Sequence, residues 1–222
     1  MIRPVPPAVL AVLLLVPAAA EADLLTNGDF AAGDLTGWTV FTTANGTNGQ
    51  AANGDPLPRV SGFETVAGVP SDAAEFRVGQ ATGGGGGPAA GGGLLQIFSS
   101  GAGTLSFSGD VAAFSPAPNA AGGTFEVLLD GQVLDAATFG FLNTNETGRA
   151  ALAFTAPTAG GQRELRLRLT RPFGVGNAST PTQYLDNLTL TLTPAAVPEP
   201  SALALLLLAG LVPAARRLRA GA

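Results

Sequence analysis

The sequence predicts an all-β protein, a jelly-roll type β-sandwich flanked by an N-terminal signal helix and a short C-terminal transmembrane helix. Three observations predict it. Between Asp23 and Val197, apolar and polar residues alternate with period two, as half-buried strands require. No helical periodicity of useful length interrupts that stretch. Both ends of the chain carry short continuous apolar runs instead, each with arginine beside it.

The 222 residues therefore divide into a signal peptide (1–22), a sandwich domain (23–194) and a tail (195–222). In the first segment Arg3 is the only charge ahead of an apolar run from Ala8 to Val16. Pro17 then breaks the helix, and Ala18, Ala19, Ala20 and Ala22 supply the small residues of a cleavage site. Cleavage after Ala20 or after Ala22 fits the small-x-small rule, with signal peptidase as the partner.

The strands follow in order. Trp38 to Thr43, Ala74 to Val78 and Leu94 to Phe98 are short candidates. Leu105, Phe107 and Val111 alternate with Thr104, Ser106 and Asp110. Phe125, Val127 and Leu129 run into Asp130-Gly131, and Val133 and Leu134 follow. Asp-Gly between two apolar runs is a strong hairpin signal. After Ala150 to Thr155 comes the clearest strand, with Leu165, Leu167 and Leu169 inward and Glu164, Arg166 and Arg168 toward water. In the last one Leu188, Leu190 and Leu192 alternate with Thr189, Thr191 and Thr193. About eight or nine short strands between Gly, Pro and Asn loops point to a sandwich or barrel. Their uneven spacing favours the sandwich. Two loops stand out, Asn45 to Pro58 and the glycine tract from Thr82 to Gly93. The tract buries no side chains and is expected to be a mobile loop.

Composition excludes several functions. The chain has no Cys, no His and no Lys. Disulfides, thiolate metal sites, a Walker A loop and Ser-His-Asp or Cys-His catalysis are all ruled out. Between Asp23 and Val197, seven arginines face fourteen acids, a net −7. Such a surface is a poor match for nucleic acid, which needs clustered positive charge. The acids are scattered and no pair suggests catalysis, so no enzyme and no catalytic residue is expected.

The C-terminus has three parts. Val197-Pro198-Glu199-Pro200-Ser201 is extended, because two prolines fix φ and restrict the residue before each. An apolar run covers 202–215, shorter than the ~20 residues a spanning helix usually needs. Arg216, Arg217 and Arg219 close the chain in 216–219 as a stop, leaving the bulk outside the cytoplasm. This tail resembles the PEP-CTERM sorting signal of Gram-negative bacteria. The resemblance implies recognition at Pro198, Glu199 and Pro200 by an exosortase, cleavage near that motif, and association with exopolysaccharide or biofilm matrix. It places the protein at the cell envelope, outer surface or extracellular matrix, held in the membrane by the C-terminal helix before processing. A plain anchor that stays in place is the alternative.

A second resemblance covers both ends of the domain. Leu25-Thr26-Asn27-Gly28-Asp29-Phe30 with Gly37-Trp38, and Tyr184-Leu185-Asp186-Asn187-Leu188-Thr189-Leu190, are similar to the opening and closing strands of galactose-binding-like jelly-roll carbohydrate-binding modules. In those modules the early Trp packs into the core, which is the role expected of Trp38. A structural calcium often sits near their terminal strands, and Asp29 and Asp186 are the acids placed to contribute. The other reading has Asp29 shaping a turn and Asp186 starting a strand, with no cofactor. Asn45, Asn145, Asn177 and Asn187 begin Asn-x-Ser/Thr sequons, read here as chance in a Thr-rich export protein. Three functions stay open: a glycan-binding surface module, a structural surface protein without a specific ligand, and last a polysaccharide hydrolase, which would need two carboxylates facing each other across a cleft.

Overall fold

The computed structural model describes residues 22–82, 87–176 and 179–195. The signal segment through residue 21, Asn177, the motif Pro198, Glu199 and Pro200, the apolar run 202–215 and Arg216, Arg217 and Arg219 lie outside the described residues.

The described residues form ten strands and no helix. The strands are β1 (Thr39–Thr42), β2 (Gly46–Thr47), β3 (Arg59–Val66), β4 (Val69–Phe76), β5 (Gly79–Gln80), β6 (Ala90–Ser115), β7 (Ala120–Leu129), β8 (Gln132–Leu142), β9 (Glu146–Arg171) and β10 (Thr182–Pro194). Eight of them make one sheet in the order β3-β4-β10-β6-β9-β7-β8, with β1 also on β6, while β2 pairs β5.

β6 and β9 are 26 residues each and pair antiparallel from Ala90↔Arg171 to Ser115↔Glu146. A straight strand of that length would run roughly 85 Å. These two bend instead. The ladder keeps its register through Ser100↔Gly161 and Ala102↔Ala159, and the corner falls there, beside Gly101 and Gly103 of β6 and Gly160 and Gly161 of β9, the last two at positive φ (91° and 100°). Beyond that corner the chain turns back over the same core. Leu94 from one half of β6 packs in one cluster with Leu105, Phe107 and Val111 from the other, and Leu165, Leu167 and Leu169 join Leu152 and Phe154 from β9. The sheet is therefore curled around a single core, consistent with a jelly-roll sandwich. Two pairs of expected strands, 94–98 with 105–111 and 150–155 with 164–170, are each one continuous strand.

The glycine tract also departs from expectation. Gly91, Gly92 and Gly93 are buried inside β6 rather than in a mobile loop. A Cβ on Gly93 would sit 1.9 Å from the Leu167 carbonyl oxygen, and one on Gly91 would sit 2.1 Å from that of Leu169. Only glycine lets β6 lie this close to its neighbour.

Other expectations hold. Leu129 pairs with Gln132 across Asp130-Gly131, both at positive φ (50° and 82°), the type I′ hairpin geometry. The first segment runs along the last strand, with Leu24 N donating to Leu190 O (2.7 Å) and Leu188 N to Gly28 O (2.9 Å). Trp38 is buried in the core, where its Nε1 donates to Asn27 O at 3.0 Å and its ring lies 6.2 Å from that of Phe30.

Candidate functional site

The inward register of β9 does not stop at Leu169. Two residues on, Arg171 continues it and is only 4 % exposed. Its Nη1 donates to Val78 O at 3.1 Å, while its buried Nε has no partner. Burial pulls its pKa down to about 10. Gln183 is buried nearby, accepting from Val78 N (3.0 Å) and donating to Gly122 O (3.1 Å). Gln80, also buried, donates to Pro88 O and Pro172 O at 3.0 and 3.2 Å. This end of the core is polar and mostly satisfied, with the Arg171 Nε as an exception.

Above it lies a cleft of about 260 Å3, lined by Pro118, Asn119, Phe141, Arg171, Phe173 and Thr180 among others. Phe141, at the end of β8, is 66 % exposed. Its ring lies 5.9 Å from that of Phe173, tilted by 59°. A second, wider cleft of about 640 Å3 adjoins it through Gly176 and is lined by Gln50, Arg77, Gln80 and Val175. The ends of β8 and β9 and the loops after β6 and β9 thus gather an exposed aromatic, a second aromatic and a buried cation at one end of the sandwich.

Sequence reasoning did not single out these residues. Extending the Leu165-Leu167-Leu169 alternation would have placed Arg171 inward. The exposure of Phe141 has no comparable signal, because it depends on where the core ends. Arg166 and Arg168 lie half-buried on the opposite face from the leucines, as the alternation predicts. Arg166 pairs with Glu164 (2.8 Å), Arg168 with Glu126 (2.6 Å), and Arg163 with Asp130. They form a neutralised outer face rather than a basic stripe.

The two acids of the second resemblance sit in opposite surroundings. Asp29 is exposed on its turn, with Oδ1 accepting from Ala31 N at 3.2 Å. Asp186 is fully buried, accepting from Thr65 Oγ1 (3.1 Å), Ser71 Oγ and Asn187 N (2.6 Å). Burial raises its pKa, and those hydrogen bonds oppose the shift. Among the described residues no group of three or more His, Cys, Asp or Glu stands ready to hold a metal. With one acid in solvent and the other already occupied by hydroxyl donors, this pair does not fit a calcium cradle. The sequon residues Asn45, Asn145 and Asn187 all adopt positive φ, the turn conformation asparagine tolerates.

What buries Asp186 is the β3–β4 hairpin. Phe63 of β3 stacks on Tyr184 with ring centroids 3.7 Å apart and planes within 6°. Across the hairpin tip, Arg149 Nε of β9 donates to Glu64 O at 2.9 Å. Burial first, and then the nearby Glu75 carboxylate, push the Tyr184 pKa up to about 12.

No family model matches the chain. No curated protein matches it either. Solved structures do. The chain is similar to TmCBM61 in complex with beta-1,4-galactotriose at 13 % identity, over 78 % of this chain and 99 % of that one, with a TM-score of 0.43. It is similar to a xylan-binding domain from CBM 22 (14 % identity, 79 % and 99 % covered, TM-score 0.40). A cyclase, Fisc from Fischerella sp. TAU, is similar too (19 %, 80 % and 100 % covered, TM-score 0.45). Carbohydrate-binding modules and cyclases stand together at these levels, and no activity is carried over from either.

Proposed function

We propose that the protein is an exported surface module that binds glycan in the cleft at the end of its sandwich. An exosortase processes its tail at Pro198, Glu199 and Pro200, and the mature form resides in exopolysaccharide or biofilm matrix. The observation that carries the binding reading is Phe141, 66 % exposed beside Phe173 at the mouth of the cleft. A large ring left in solvent at a concave site offers a flat apolar face to the C–H face of a sugar. The export and sorting half rests on the sequence of the two ends.

Two measurements test it. Intact mass of the protein from its host, beside Glu199→Ala, should show loss of both ends in wild type and a retained tail in the variant. A wild-type protein that keeps its tail makes it a permanently anchored envelope protein. Host exopolysaccharide should retain the full chain, and Phe141→Ala should weaken retention about fivefold, the equivalent of roughly 1 kcal/mol of stacking. Equal retention of both forms makes it a structural surface protein.

A further inference from the structure

Arg171 gives the cleft a feature that a neutral sugar leaves unused. Arg59, Arg163, Arg166 and Arg168 each pair with a carboxylate. Arg171 is the more deeply buried cation, and no carboxylate among the described residues pairs with it. Its Nη1 has one neutral acceptor, and its Nε has none. A buried guanidinium without an anion is unfavourable, and a carboxylate close to it supplies the missing charge. Arg171 is also one of the residues that line the cleft with Phe141 and Phe173, so an anion bound there lies beside its positive charge.

The size of the cleft narrows the ligand. About 260 Å3 lies just below the ~300–1,000 Å3 of sites for drug-sized molecules and suits a single ring. The net charge of the chain, −5, repels a dense polyanion and tolerates an isolated charge.

We propose that the cleft binds one carboxylated sugar residue, a uronate set among neutral sugars, with its ring against Phe141 and its carboxylate answering Arg171. This rests on the glycan-binding reading above.

The test titrates the full chain with methyl glucuronide and with methyl glucoside, which share a ring and differ at the carboxylate. Binding is read by ligand-observed NMR. The glucuronide should bind about tenfold more tightly, and added salt should erode that advantage. Phe141→Ala should weaken both ligands. Arg171→Gln should bring their ratio to about one. Should that variant fail to fold, the wild-type ratio and its salt dependence decide alone. Equal binding of the two sugars overturns the carboxylate inference and leaves glycan binding standing. Binding of neither overturns both. Inorganic sulfate that binds as tightly as the glucuronide makes this a bare anion site and overturns the sugar.

Discussion

Tyr184 is the only tyrosine of the chain, so its ionisation can be followed without interference. Burial, with Phe63 stacked on the ring, and then the nearby Glu75 carboxylate raise its pKa to about 12. An unperturbed tyrosine ionises near ~10. Two units correspond to about 3 kcal/mol between the neutral and ionised forms. The sign follows from which state holds the proton more tightly. The folded chain does, so Tyr184 adds no pH dependence below its unfolded pKa. Above it, stability falls by about 1.4 kcal/mol per pH unit until the folded pKa is reached. Phenolate absorbance against pH, with far-UV circular dichroism on the same samples, reads both quantities. Absorbance should rise near pH 12 or together with unfolding, in either case well above the ordinary range. Phe63→Ala should open the stack and bring the midpoint down toward that of a free tyrosine. A wild-type midpoint near ~10 on a fully folded chain would refute the hairpin closure on which the burial of Asp186 also depends.

Asp186 and the core give two further expectations. The folded chain holds the Asp186 proton more tightly than the unfolded one, so its contribution is present in acid and lost as pH rises through the folded pKa. Asp186→Asn does not titrate and should therefore gain stability relative to wild type between acid and neutral pH, measured by paired thermal melts; a constant or shrinking gap sinks the assignment. Leu167→Ala empties a fully buried position on β9 and should cost about 2–5 kcal/mol, lowering Tm by roughly 2–4 °C for each. A denaturant midpoint that barely moves would mean that β9 does not run through the core.

Much of the fold is legible in the sequence because alternation reports local burial directly. The leucines at 165, 167 and 169 point inward as their spacing predicts, and Asp130-Gly131 makes its hairpin. The pairing of the first segment with the last strand follows the resemblance. Continuity was not legible. Gly101-Ala102-Gly103 and Gly160-Gly161 look like turns, yet here they bend a ladder that stays paired on both sides. Gly91 to Gly93 look like a linker, yet their missing side chains admit a neighbouring backbone. β3 carries a faint signal because, as an edge strand, it fully buries one residue, Thr65, while Val60 packs on the main core and Phe63 on the smaller cluster around Tyr184. The cleft was least legible of all. It is assembled from the ends of β8 and β9 and the loop after β6, whose meeting point depends on how far each strand overshoots the core.

One consequence of β10 is mechanical. The strand starts at Thr182, two residues from Thr180 in the cleft, and ends at Pro194, at the far end of the described chain. Its 13 residues put roughly 40 Å between the two. A polymer tugging at the cleft against a tether at the other end pulls β10 lengthwise. The strand is laced to β6 from Thr182↔Phe114 to Pro194↔Gly103, and to β4 at Gln183, Tyr184 and Leu185. Force along that axis shears all of these bonds at once instead of unzipping them in turn, so a load applied between the cleft and the end of β10 meets the domain in its strongest direction.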